Sequence, residues 1–148
     1  MRIAYVVFNL DGMGGTSRSA ITQANALAGD HEVRLVSITR SADRPHYAID
    51  PRVTVDYLAD VREEALEPDA ARVLHERESV LVPPRWDAQF SALTDVAMAD
   101  ALPALDAEVV VTVTPGLLAA VAQLVPDRAL LVHQEHRSSS DRTSGLEP

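Results

Sequence analysis

The chain has 148 residues, 47% of them hydrophobic and 24% charged, which suits one globular domain with a real core and is too short for two of ordinary size. Its formal charge is -9 and all 13 basic residues are Arg, which argues against nucleic acid or an anionic membrane as the main partner and excludes a Walker-type phosphate loop, which needs Lys. There is no Cys, so disulfides and thiolate metal sites fall away, and no apolar run approaches the roughly 20 residues of a membrane span.

Ile3 to Phe8 is a short apolar run rich in β-branched residues and reads as a strand buried on both faces. A strand start in place of a signal peptide makes the cytoplasm the simplest location. Asn9 to Arg18 follows with Gly12, Gly14 and Gly15, and Ser17 to Ala28 carries Ala20, Ile21, Ala24, Leu27 and Ala28 at helical spacing, with Thr16 or Ser17 as cap and Gly29 just past the end. Glu32 to Ile38 is a second buried strand, which completes a strand, helix, strand unit with a right-handed crossover. Turn formers from Thr39 to Pro51 predict a loop before a strand at about Val53 to Leu58. Residues 60 to 80 are helical in character, with Pro68 starting or breaking a turn, and their acids, with Asp56, form a solvated face. Asp87 to Leu105 predicts a long helix. Ala107 to Thr114 predicts a buried strand, turned by Pro115-Gly116 into the helix Leu117 to Leu124. Ala129 to His133 predicts another buried strand, followed by the polar stretch Gln134 to Arg142, with no sign of a closing helix. Strands that are apolar throughout and alternate with helices predict an α/β domain, Rossmann-like, its mostly parallel sheet covered on both faces.

Ligands of such sheets bind at the carboxyl ends of the strands. Three segments exit there: the glycine loop, Thr114-Pro115-Gly116, and His133 to Arg137. A glycine-rich turn that opens a helix presents free N–H groups and a positive dipole end, which suits a phosphate. Gly12 and Gly14 match the start of the dinucleotide fingerprint, but its third glycine is replaced by Ser17, and the second strand ends in Ser37 to Arg40 without the ribose-binding acid. Arg40 facing a 2′-phosphate keeps an NADP-binding oxidoreductase domain as an alternative, and a non-catalytic interaction module is another. Arg18 in the first helical turn suits a bound anion. His133, Glu135 and His136 suggest acid/base or hydroxyl contacts; no acid cluster completes a metal shell, so none is expected.

The opening Met1 to Ser19, the stretch Leu81 to Asp95 and Val-His-Gln-Glu-His-Arg at 132–137 together resemble the N-terminal half of family-four glycosyltransferases, retaining enzymes of the GT-B fold, in particular bacterial members that build cell-surface polymers. The resemblance implies a hexosyltransferase-like enzyme that takes a nucleotide-diphosphate sugar as donor and a sugar or polyol-type acceptor. It carries donor and acceptor contacts onto Gly14, Gly15, Thr16 and Arg18, contact with the transferred sugar onto His136 or His133, with Glu135 beside them, and a cleft-bordering turn onto Thr114 and Gly116. The family's second, donor-binding domain has no counterpart here. The chain is therefore expected to be a truncated, acceptor-side domain of 1–148, inactive alone, whose full-length parent is cytoplasmic with room for peripheral contact at the inner face of the membrane.

Overall fold

Five parallel strands form one sheet in the order β3-β2-β1-β4-β5: β1 Arg2–Asn9, β2 Glu32–Arg40, β3 Thr54–Asp60, β4 Val109–Thr112 and β5 Leu130–His133. They belong to a computed structural model that describes residues 1–136. The Rossmann-like α/β class read from the sequence therefore holds. The central strand has the most apolar surroundings: Ala4, Tyr5, Val6 and Val7 are each at most 3% exposed. Val6 stands opposite Val36 on one side and Thr112 on the other.

Among the described residues the α-helices are α1 Gly15–Leu27, α2 Asp69–Glu76, α3 Ala92–Ala101 and α4 Pro115–Leu124; α1, α3 and α4 cover the sheet, and the short α2 packs outside it against α3. Tyr5 reaches α1 through Gln23, whereas Phe8, three residues on and facing the other way, meets Phe90 just ahead of α3 with ring centroids 4.9 Å apart. The connections from β1 to β2 and from β2 to β3 run one way along the sheet and those from β3 to β4 and from β4 to β5 run the other, so right-handed crossovers put α1 on one face and α3 with α4 on the opposite face. Among the described residues no helix is long and apolar enough to cross a membrane.

Several boundaries differ from the sequence reading. The helix expected from Asp87 begins at Ala92, because Ser91 and Thr94 form a capping box and the Pro83-Pro84 segment ahead of it is a run of turns. The helical stretch of 60 to 80 divides into a 3-10 turn at Glu63–Leu66 and the short α2, with Pro68 as its cap. Asp56 and Asp60 lie on β3, where they pair with Arg34 and Arg62. The Arg62 guanidinium holds the Asp60 carboxyl below its usual range. β5 is half-exposed and not buried, with Leu130 63% exposed, since among the described residues it pairs on one side alone.

Candidate functional site

The strand order reverses at β1 and β4: the chain moves from β1 to one side for β2 and β3, then returns past β1 for β4 and β5. At such a switch point the loops after the two adjacent strands diverge and leave a crevice. A cleft of about 250 Å³ lies there, lined by Gly12, Gly14, Thr16 and Ser17 from the first loop, Thr114 and Pro115 from the fourth strand's exit, and Glu135 and His136 from beyond β5. All three strand exits singled out in the sequence contribute to it. Phe8 and Val113 give it an apolar floor, and Gln89 closes one side.

The glycine loop has an unexpected physical basis. None of its glycines has a positive φ, so no left-handed turn requires them. A Cβ added at Gly14 or Gly15 would meet nothing within 4 Å. Gly15 is also the first residue of α1, where Gly is worse than Ala by up to about 1 kcal/mol. Neither backbone nor packing explains them. What they provide is unobstructed access to the backbone at the start of α1.

The cap of α1 is Gly14, not Thr16 or Ser17, and no side chain caps it. The first helical bond runs from Arg18 N–H to the Gly14 carbonyl, 3.1 Å, so the N–H groups of Gly15, Thr16 and Ser17 have no partner within the helix. Ser17 is buried and its hydroxyl donates to the Asn9 carbonyl at 2.6 Å. It thus ties helix to strand at the position where the dinucleotide fingerprint has its third glycine. Arg18 is exposed and makes no ion pair among the described residues.

Sequence reasoning missed Asp11. Its carboxylate is 7% exposed and accepts from Ser41 N–H at 2.9 Å, Ala42 N–H at 3.1 Å and the Tyr57 hydroxyl at 2.6 Å. Burial, with the Asp11 carboxylate second, pushes the Tyr57 hydroxyl well above its usual range. Tyr47 adds a bond from its hydroxyl to the Met13 carbonyl, 2.7 Å. The loop between β2 and β3 therefore clamps the glycine loop from outside. The signal available in the sequence was an acid inside a turn directly after an apolar strand.

The remaining predicted residues divide. Thr114 caps α4, accepting from Leu117 N–H at 3.4 Å, and lines the cleft. Gly116 does not line it: a Cβ there would lie 3.1 Å from Asp87 Oδ2 and Phe90 Cε2, so this glycine serves packing between α4 and the Asp87–Phe90 segment. His136 and Glu135 face the cleft, while His133 stands against Thr112 Oγ1 at 3.0 Å and 3.7 Å from Glu135 Oε2, behind them. Gln134 pairs reciprocally with Gln23 of α1 at 2.9 and 3.1 Å, which fixes the segment bearing Glu135 and His136. Arg40 donates to the carbonyls of Ala42 and Asp43 and lies 5.4 Å from the Tyr57 ring centroid, so its guanidinium is engaged within its own loop. Arg137 lies outside the described residues. Among the described residues no group of three His, Cys, Asp or Glu side chains is placed to hold a metal ion.

The cleft thus has two chemically distinct ends. N–H donors crowd the glycine end, and the other offers a carboxylate, an imidazole, a hydroxyl and an amide. No protein-family model matches the chain. It is similar to an exopolysaccharide phosphotransferase of Streptomyces coelicolor, 38% identical over 156 aligned positions that take in the whole of this chain and 17% of that protein, so the chain spans about a sixth of its relative's length.

Proposed function

We propose that this chain is the acceptor-side Rossmann-like domain of a bacterial transferase that modifies a cell-surface polysaccharide with a group drawn from a nucleotide-diphosphate sugar, in the manner of a GT-B glycosyltransferase. The observation that carries this reading is the cleft at the switch point, with side-chain-free backbone at one end and sugar-type hydrogen-bond partners at the other. The diphosphate takes the glycine end, where the N–H groups of Gly15 and Thr16 and the positive end of α1 oppose its charge, with Arg18 a turn away. Glu135 suits a hydroxyl, not a phosphate, because a carboxylate accepts from O–H and repels an anion. His136 and Glu135 therefore hold hydroxyls of the transferred unit or of the acceptor. Groups fixed in this way act by orientation and by stabilising charge as the leaving diphosphate departs.

The name of the Streptomyces relative favours a second reading of the same cleft, in which a phosphate is part of what is transferred. The two differ in the atom attacked. Attack at the anomeric carbon leaves the whole diphosphate on the nucleotide, whereas attack at phosphorus carries phosphate into the product.

Both are tested on the full-length gene product with a panel of nucleotide sugars and a polysaccharide acceptor, the product being examined for sugar and for phosphorus. Sugar without phosphorus supports glycosyl transfer, both together support phosphotransfer, and neither across the panel refutes the proposal. On the chain itself, pyrophosphate should shift the backbone amide resonances of Gly14 to Ser17; shifts confined elsewhere would place the anion outside the glycine loop.

A further inference from the structure

A second groove, of about 360 Å³, adjoins the cleft. It runs between the C-terminal end of α2, with Glu76, Arg77 and Glu78, and the opposing Pro84, Ala88 and Gln89. Gln89 lines both spaces, so the two lie on either side of that residue. The walls are joined by backbone: Ala92 N–H donates to the Arg77 carbonyl at 2.9 Å, and Glu78 bridges Ser91. The groove is built into the fold by pairing on both sides of the approach to α3.

Trp86, the one tryptophan of the chain, sits in the turn between Pro84 and Ala88, both of which line this groove. Its side chain is 61% exposed although the turn is held firmly, with Trp86 N–H donating to the Pro83 carbonyl at 2.8 Å. The Arg85 guanidinium lies 5.8 Å from its ring centroid. An exposed indole on a fixed turn offers a flat apolar face, and carboxylates, a guanidinium and an amide nearby offer donors and acceptors. A pyranose needs that pairing, since its C–H face is apolar and its rim is all hydroxyl.

We propose that this groove, with Trp86 beside it, is a subsite for the acceptor's saccharide chain, holding sugar units beyond the one that reacts in the cleft. The inference rests on the polysaccharide reading above and deepens it: the acceptor enters as a polymer, passes over Gln89 and lies along α2's end. Contact spread along the groove makes affinity grow with the number of sugar units, which a pocket for a single monosaccharide would not do.

The single tryptophan makes the test direct. The chain is titrated with ladders of gluco-, xylo- and uronic-acid oligosaccharides, from one to six units, and Trp86 fluorescence is recorded. The expected result is saturable quenching with at least one ladder, with affinity rising roughly tenfold or more between the monosaccharide and the longest members. No saturable change with any ladder, or equal affinity for one unit and six, overturns the subsite. Trp86→Phe should retain binding and Trp86→Ala lose it in saturation-transfer NMR; since the side chain is exposed, both variants fold. Pyrophosphate shifts at the glycine loop are recorded on the same sample. A chain that responds to pyrophosphate but not to saccharide refutes this subsite alone, and the converse refutes the donor reading alone.

Discussion

Replacing Asp11 tests how the glycine loop is held. The carboxylate accepts three hydrogen bonds, two from backbone N–H groups and one from the Tyr57 hydroxyl, between 2.6 and 3.1 Å. Bonds to a charged group contribute about 1.5–3 kcal/mol each, but Ser41 is exposed and its N–H can be rehydrated, so the sum overstates the loss. Asp11→Ala should therefore destabilise the fold by about 2–4 kcal/mol, which in a domain of this size lowers Tm by roughly 4–16 °C. Asp11→Asn keeps the shape and a carbonyl for the two N–H groups, and the Tyr57 hydroxyl can turn to accept from the new amide. Its cost should be about 1–2 kcal/mol. Urea unfolding followed by far-ultraviolet circular dichroism measures both, and amide exchange should quicken first at Ser41 and Ala42. An Asn variant as damaged as the Ala variant would refute the reasoning, because shape and hydrogen bonding would then not be what Asp11 supplies.

The glycines should separate by role. Gly15→Ala should raise stability by about 0.5–1 kcal/mol and Gly15→Val should leave the fold intact, both in thermal melts, while the valine abolishes the pyrophosphate response. Gly116→Ala, with Asp87 and Phe90 at 3.1 Å, should cost about 1–3 kcal/mol in urea unfolding. Tyr57 holds its proton to higher pH when folded than its ordinary value of 10.0, so its contribution is complete below that value and is lost as pH rises from there through the raised folded value; Tyr57→Phe should flatten that part of an alkaline stability profile. Gln134→Leu breaks the pair with Gln23 and should cost about 1 kcal/mol, with faster amide exchange at Glu135 and His136.

The sheet was legible because the cores of β1, β2 and β4 are apolar, as burial between two helical layers demands, and because β3 alternates; the same pattern placed the three exits on one edge. What the sequence hid was side-chain partnership. Nothing near Asp11 marks it as paired with Tyr57, 46 residues away, and nothing near Gln23 announces Gln134, 111 residues away. The start of α3 was hidden differently: the Asp87–Phe90 residues fit a helical spacing, but the Ser91 cap and the packing of Phe90 on Phe8 win locally. Gly14 and Gly116 look alike in sequence, and only the surroundings show that one frees backbone while the other admits a neighbour.

The ties around the cleft bear on how it works. Ser17 fixes α1 to β1, Asp11 and Tyr47 fix the glycine loop to its neighbour, and Gln134 fixes the His136 segment to α1. Each wall is thus anchored by at least one bond that is independent of any ligand. Donors already in position need no reorganisation when charge develops on a leaving group, which is where electrostatic stabilisation gains most over water. Arg18 is the exception: long, exposed and without an ion pair among the described residues, it stands one turn into α1. Its place in the first turn is unfavourable beside the positive end of the helix, and a bound anion reverses that sign. Arg18→Gln should then weaken pyrophosphate binding without lowering stability in its absence, a combination that a merely solvated surface arginine would not give.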